Sequence, residues 1–498
     1  MKKIKSIGLL LGAGLLLSTG CEKFEDMNKN PNEPTEVPGE VLLPSVIRQG
    51  VNTSVDAAFL VGNNAAQLTA KTLRTEVDAY DWNAFPKYWD GWYGALSDVK
   101  SLKDISRANN NDRMYGTALV LEAWLISSLT NAYGDIPYSE AIQGLNNNFT
   151  PVYDEQQAIY NSLLDSLDQA NTLLRDGEGE IDGDILLGND ATLWQRFGNS
   201  LALRLIMTSG NKLADAGSRF ADIYNNKPLM EGNAHNAVLD YTGAAPNQFP
   251  LTVLKIGDID AVAPSEASVS FMEQFNDPRL MRYARPKTDD FTSPVADSTF
   301  GGAVNGPGSA CPKGDASAMG VQYFTYPNLT SASELGLDMA DGIIMTYAEL
   351  EFTIAEAIAK GWISGTIGDH YRAGIEASHN YYEVDYAPFG YSDFTDFYTN
   401  SGVAYSQVTD IWAQKWLALF FTGMEPYYEV RRWYNESGDN FSGIPFLGPT
   451  CNNENSDNLP TRFLYPGEEQ SLNSENYQQA LSRIGGTNSF NADMWILQ

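Results

Sequence analysis

From residue 41 onward the chain carries one helix-length apolar period after another, and that recurrence limits the folds open to it more than any other feature. In 112–132, Leu119, Ala123, Ile126 and Thr130 lie near one face, and Tyr133-Gly134-Asp135-Ile136-Pro137 stops the run. The pattern returns in 158–174 with Ile159, Leu163, Leu167, Ala170 and Leu174. It returns again in 190–213, behind an Asp190 cap, with Trp194, Phe197, Leu201, Leu205 and Met207. Later periods span 345–360, 368–381, 407–424 and 474–484. The short link 361–367 suits a helix hairpin. Paired helices of this length predict a mainly α chain of tetratricopeptide-like packing in one large domain, residues 41–498, although no clean 34-residue repeat can be counted. Two stretches near 214–340 and 382–406 are rich in Gly, Pro, Asn and Ser. They predict irregular insertions with short strands at best, at 251–254 and 319–324.

Charge narrows the partners. With 63 acidic and 32 basic residues the net charge is −31, and no Lys/Arg cluster occurs, so nucleic acid is not expected as a partner. At the N-terminus, Lys2, Lys3 and Lys5 precede an apolar run of about 11 residues, Ile7 to Leu17, and then Ser18-Thr19-Gly20-Cys21. A spanning helix needs roughly 20 apolar residues, so residues 1–20 read as a signal peptide. The small residues before Cys21 resemble the lipobox of bacterial lipoproteins, which implies lipid attachment at Cys21; simple cleavage leaving a free thiol is the alternative. Residues 21–40 are polar and Pro-containing and read as a tether. Glu25 and Asp26 resemble the surface-export signal of Bacteroidetes-type lipoproteins. Cys311 and Cys451 remain, either free or as one disulfide.

Catalytic and metal signatures are missing: no His-Glu-x-x-His, no Gly-x-Ser-x-Gly, no phosphate loop and no Gly-x-Gly-x-x-Gly. Neither cofactor, metal nor catalytic residue is expected. The three histidines, at 235, 370 and 379, read as solvent-facing or edge residues. Glu349 and Glu356, seven apart on one helical face, read as a solvated flank with Arg or Lys partners. The acidic run Glu178, Glu180, Asp182, Asp184 fails the EF-hand spacing.

Aromatics carry the stronger signal. Tyr80, Trp82, Phe85, Tyr88, Trp89, Trp92 and Tyr93 fall within 14 residues, and no single period places all seven inside. Open rings stack on the apolar faces of sugars, so Tyr80, Trp82, Tyr88, Trp89 and Trp92 are the candidate ligand-binding residues. A second cluster runs from Tyr381 to Tyr398. In both, the structural alternative is that the rings pin loops onto helices.

A series of segments then resembles the SusD/RagB family of outer-membrane nutrient-binding lipoproteins, in its SusD-like branch. In order they are Cys21 with Asn30-Pro31-Asn32; Tyr133-Gly134-Asp135-Ile136-Pro137-Tyr138-Ser139-Glu140-Ala141; and Pro151-Val152-Tyr153-Asp154. Trp194, Phe197, Asn199 and Arg204 follow, then Asp277-Pro278-Arg279, Glu356-Ala357, Gln414-Lys415-Trp416, Arg431-Arg432, and Arg462 with Tyr465-Pro466. Locally, Asp154 is placed to cap the next helix, and Asn199 and Arg204 to satisfy buried polar groups. The resemblance implies a helical body anchored in the outer membrane and exposed at the cell surface. It also implies a SusC-type TonB-dependent transporter as partner, over which the chain acts as a lid delivering an oligosaccharide or peptide. A surface glycoside hydrolase, or a purely structural lipoprotein, is the competing function.

Overall fold

The computed structural model describes residues 38–498 apart from 211, 243–244, 246, 255, 260, 288–298 and 321–339. The signal peptide, Cys21 and nearly all of the expected tether lie outside the described residues.

Each apolar period becomes a helix packed on its neighbour. Helix α1 (Gly39–Ala57) begins two residues before the expected body and packs on α2 (Pro86–Ala108); α2 packs on α3 (Asp112–Tyr133), α3 on α4 (Gln156–Asp176), and α4 on α5 (Ala191–Ser209). After α6 (Ala216–Asn226) and α7 (Glu266–Gln274), the hairpin α8 (Tyr347–Ala359) and α9 (Ile367–Tyr381) follows. α8 packs on both α5 and α10 (Val408–Ala418). Then come α11 (Glu425–Glu436) and α12 (Ser474–Arg483). The architecture is mainly α, built of helix pairs.

β structure is minor. Among the described residues there are three two-stranded antiparallel sheets. β1 (Thr69–Lys71) pairs with β5 (Val262–Pro264), β2 (Ile136–Pro137) with β3 (Tyr153–Asp154), and β4 (Ala237–Leu239) with β6 (Gly342–Met345). Residues 250–253 form a 3₁₀ turn where a strand was expected. Of the strand expected at 319–324, Met319 makes a lone bridge to Ala284, and 321–324 lie outside the described residues.

Caps explain several boundaries. Asn111 accepts the Met114 amide at 3.0 Å to open α3, and Gly134, at φ +87°, closes it in a conformation that side chains with a Cβ avoid. Asp190 accepts from the Thr192 and Leu193 amides, as the sequence predicts. Asp154 differs from expectation. Its carboxylate accepts from the Tyr138 and Ser139 amides at 2.9 and 2.8 Å, pinning the loop after α3, and Asp135 takes the Gln156 amide at 2.8 Å instead. The β2–β3 pairing brings Asp154 beside that loop and turns its side chain away from the helix it precedes.

The core joining α5, α8, α10 and α11 is ionic as well as apolar. Arg204 forms a two-bond pair with Glu349, both at 2.5 Å, and donates to the Ile344 carbonyl at 2.8 Å. Arg432 reaches Glu356 at 2.7 Å and Glu429 at 2.6 Å, and Lys415 lies 3.3 Å from Glu429. Glu349 and Glu356 are therefore buried, not a solvated flank: the face they share is the one α8 turns toward the Arg-bearing helices. Asn199 donates to the Pro228 carbonyl and to Asn171, a buried satisfaction of the expected kind. His379 is fully buried 3.3 Å from Asp277, contrary to the solvent reading, because the second aromatic cluster closes over α9.

Candidate functional site

The five rings expected to meet ligand are core residues. Tyr80, Trp82, Tyr88, Trp89 and Trp92 are each no more than 7% exposed. Pro86 starts α2 rather than breaking it, since the first helical position needs no amide hydrogen bond. Tyr88, Trp89 and Trp92 then share its inner face, while Tyr80 and Trp82 sit in the preceding loop. The C-terminal segment covers three of them: Phe463 packs on Trp82 and Tyr88 at 5.5 and 6.1 Å, and Tyr465 on Trp89 at 6.3 Å, while Tyr133 of α3 also packs on Trp89 at 5.0 Å. The cover comes from residues almost 400 positions away, which local periodicity cannot register. In the second cluster Tyr382, Phe394 and Phe397 are buried, and Tyr386, Tyr391 and Tyr398 are partly so, packed around α9 and the short helix 394–400.

A cavity of about 1120 Å³ opens elsewhere, walled by both insertions. Its first wall is α7. The β1–β5 ladder delivers the chain to Ser265, whose hydroxyl accepts the Ser268 amide at 2.9 Å and donates to the Gln67 carbonyl, and the Ser268 hydroxyl donates to the Leu68 carbonyl at 2.8 Å. Gly302 lies so close to this helix start that a Cβ there would come within 2.2 Å of the Glu266 Cα. With α7 fixed, Ala267, Ser270, Phe271 and Gln274, spaced as one helical face, line the cavity.

A second wall joins two distant loops. Cys311 and Cys451 form a disulfide, with Cα atoms 6.3 Å apart, and the Cys451 amide donates to the Asn305 carbonyl at 2.9 Å. The bridge that the sequence left open thus clips the cavity rim. Opposite stand 402–407 and the α10 residues Asp410, Ala413 and Gln414. Phe271, Phe275 and Phe446 are half-buried, with Phe271 5.2 Å from Phe275 and 6.0 Å from Phe446, and the fully buried Trp416 backs Phe446 at 5.2 Å. Tyr80 stands behind this floor: its hydroxyl accepts from Gln67, a cavity residue, at 3.4 Å. Among the described lining residues none is Lys, Arg or His, whereas Glu266 and Asp410 are acidic. Such a cavity suits a neutral ligand with apolar faces and disfavours an anion.

Beneath the rim, Asp78 accepts the Lys71 amide at 2.6 Å and the Asn305 side-chain amide at 3.1 Å. Burial pushes its pKa from 3.8 up to about 7, partly opposed by those hydrogen bonds. Below pH 4 the folded and unfolded chains both hold this proton; between 4 and 7 only the folded chain does, so ionisation increasingly favours unfolding. Stability from this residue is expected to fall by about 1.4 kcal/mol per pH unit across that window and to level off above it. Asp78→Asn should flatten that part of a denaturation series run from pH 4 to 8; an unchanged slope would show that Asp78 ionises normally.

No group of three or more His, Cys, Asp or Glu among the described residues is placed to hold a metal. Nor is any described helix long and apolar enough to cross a membrane. A SusD-like family model, described as starch-binding and associating with the outer membrane, matches residues 31–466. The chain belongs to the SusD-like family. Its fold is similar to that of several solved structures. A chitin-binding protein superposes with a TM-score of 0.76 at 24% identity, covering 92% of this chain and 99% of its own. A SusD homolog from Bacteroides fragilis gives 0.75 at 23%, covering 93% and 100%. A chitin-binding SusD homolog from Flavobacterium johnsoniae gives 0.73 at 20%, covering 92% and 98%. The comparison with curated proteins gives no match. As a SusD-like protein the chain is an outer-membrane-associated, surface nutrient binder.

The SusD-like motifs are mainly structural here. Arg431 donates to the Asn131 and Thr461 carbonyls at 2.7 Å each, tying α11 to α3 and the C-terminal segment. Arg462 donates to the Tyr133 carbonyl at 3.0 Å. Asp277-Pro278-Arg279 is different, because Arg279 reaches Gln414 at the cavity. The sequence reading missed Phe271, Phe275 and Phe446. The signal available was the small amphipathic period of 266–275, overshadowed by the denser aromatic run at 80–93.

Proposed function

We propose that this chain captures a neutral oligosaccharide in the cavity between α7, α10 and the disulfide-linked loops. We propose further that it is tethered through a lipid on Cys21 and holds its cargo as the lid of a TonB-dependent outer-membrane transporter. The observation that carries the ligand class is the lining: half-buried rings at one corner, uncharged amides and hydroxyls around them, and no basic side chain among the described residues. Rings offer stacking surface, and amides match sugar hydroxyls as donors and acceptors. The starch-binding family description and the two chitin-binding relatives favour a glycan over a peptide.

A protein partner is favoured by an exposed apolar patch away from the cavity. Leu145 is 102% exposed and Phe149 and Leu472 each 71%; Asn473 and Asn476 donate to the Pro151 carbonyl and bring these segments together. Leu145→Glu with Phe149→Glu should reduce recovery of the transporter with the anchored chain while leaving its melting temperature unchanged; full recovery would remove the patch from that contact.

Isothermal titration of the chain beginning after Cys21 with chitohexaose, maltohexaose and a neutral hexapeptide tests the ligand class. One hexasaccharide should bind, and Phe446→Ala should weaken it by roughly tenfold to a hundredfold, the range of a stacking hot spot. Binding of the peptide alone would replace the glycan reading.

A further inference from the structure

The cavity contains two polar groups that the protein itself does not use. Gln414 is 1% exposed and Thr450 4%, and both line the cavity. Gln414 Nε2 and Thr450 Oγ1 have no hydrogen-bond partner in the protein. An unpaired buried donor costs about 1–3 kcal/mol, so two of them on residues that line one cavity are expensive unless something entering it completes them.

The polarity of Gln414 is imposed from behind. Arg279 is fully buried and donates to Asp277 at 3.0, 3.2 and 2.5 Å, to Ser378 Oγ at 3.2 Å and to Gln414 Oε1 at 2.5 Å. A guanidinium can only donate, so it requires the oxygen of the Gln414 amide on its own side. The NH₂ group is left for the other side. Asp277 anchors the arrangement. Burial alone would raise its pKa, but Arg279 and then His379 more than offset this and hold it below the usual carboxylate range.

We propose that Gln414 Nε2 and Thr450 Oγ1 are ligand contacts in this cavity, and that Arg279 is a positioning residue that makes Gln414 a donor. The site then selects a neutral group bearing an acceptor oxygen (a hydroxyl, an ether or an amide carbonyl). This rests on the cavity being the binding site, as proposed above.

Thr450→Val is the cleaner test. It deletes a hydroxyl that bonds to nothing in the protein, so the melting temperature should stay level or rise, while affinity for whichever of chitohexaose and maltohexaose binds falls about fivefold or more. Gln414→Glu keeps an acceptor against Arg279 but presents an oxygen where the amide donated, and should lower affinity about tenfold or more in a chain that remains folded. Arg279→Met removes the donor and should lower affinity about fivefold or more in the folded fraction, whereas Arg279→Lys, which still only donates, should hold affinity within about threefold; a purely structural role would give two destabilised variants of equal affinity. Loss of binding in folded Arg279→Lys would overturn the positioning role. Phe446→Ala separates the two levels of failure. If it weakens binding while Thr450→Val and Gln414→Glu do not, the cavity binds but these contacts are not made, and the inference falls. If none of the variants weakens binding, or neither hexasaccharide binds, the cavity reading falls and the inference with it.

Discussion

Trp92→Ala is expected to cost about 3–5 kcal/mol of folding stability, the range for emptying a buried aromatic site. Trp92 is 1% exposed, packs on Tyr88 with ring centroids 5.9 Å apart, and its indole N–H lies 3.4 Å from the Ser54 hydroxyl on α1. The ring therefore joins α1 to α2, the first helix pair of the stack. Its removal leaves a hole that the rigid neighbours cannot collapse into, because α3 packs on the same two helices. The check is a denaturant titration of Trp92→Ala beside the parent, with glycan affinity measured below the transition. The expected outcome is a large midpoint shift with near-normal affinity. An unshifted midpoint with lost affinity would make the ring a ligand platform instead.

Arg204→Ala should be as damaging, at about 3–5 kcal/mol, for a different reason. Arg204 and Glu349 are both almost wholly buried, and Arg204 also lies 3.7 Å from Glu425. Burial has already pushed Glu425 up to about 7, opposed by Arg204. Removing the guanidinium strands two carboxyls in a low-dielectric core. The double change Arg204→Met with Glu349→Leu should recover much of the loss, since an apolar pair of similar volume needs no desolvation of charge. Thermal unfolding of the parent, the single and the double variant measures this. A single variant as stable as the parent would show that α5, α8 and α11 do not depend on the pair.

The helical frame was readable in advance because amphipathic periods are local: α3, α4, α5, α8 and α9 all stand near the positions their apolar residues predict. Helix α2 is obscured in the sequence by its own richness in rings, and Pro86 stands at its start. The joint between α10 and α11 was missed because Phe421 and Gly423 turn at positive φ inside an apolar run that looks continuous. The cavity was not legible at all. Its walls come from 67, 266–275, 304–312, 402–414 and 445–451, and only long-range closure, the β1–β5 ladder and the Cys311–Cys451 bridge, brings them together. Whether an aromatic residue faces ligand or core depends on what covers it. For Trp82 the cover is Phe463 and Tyr427, contacts that sequence spacing does not encode.

Glycan is expected to bind in the cavity lined by Phe271, Gln414, Phe446 and Thr450. A crystal structure of the chain beginning after Cys21, soaked with the hexasaccharide that binds in titration, tests it most directly. Sugar density should lie against Phe271 and Phe446, within hydrogen-bond distance of Gln414 Nε2. Density on another face of the molecule, with this cavity holding only solvent, would contradict it.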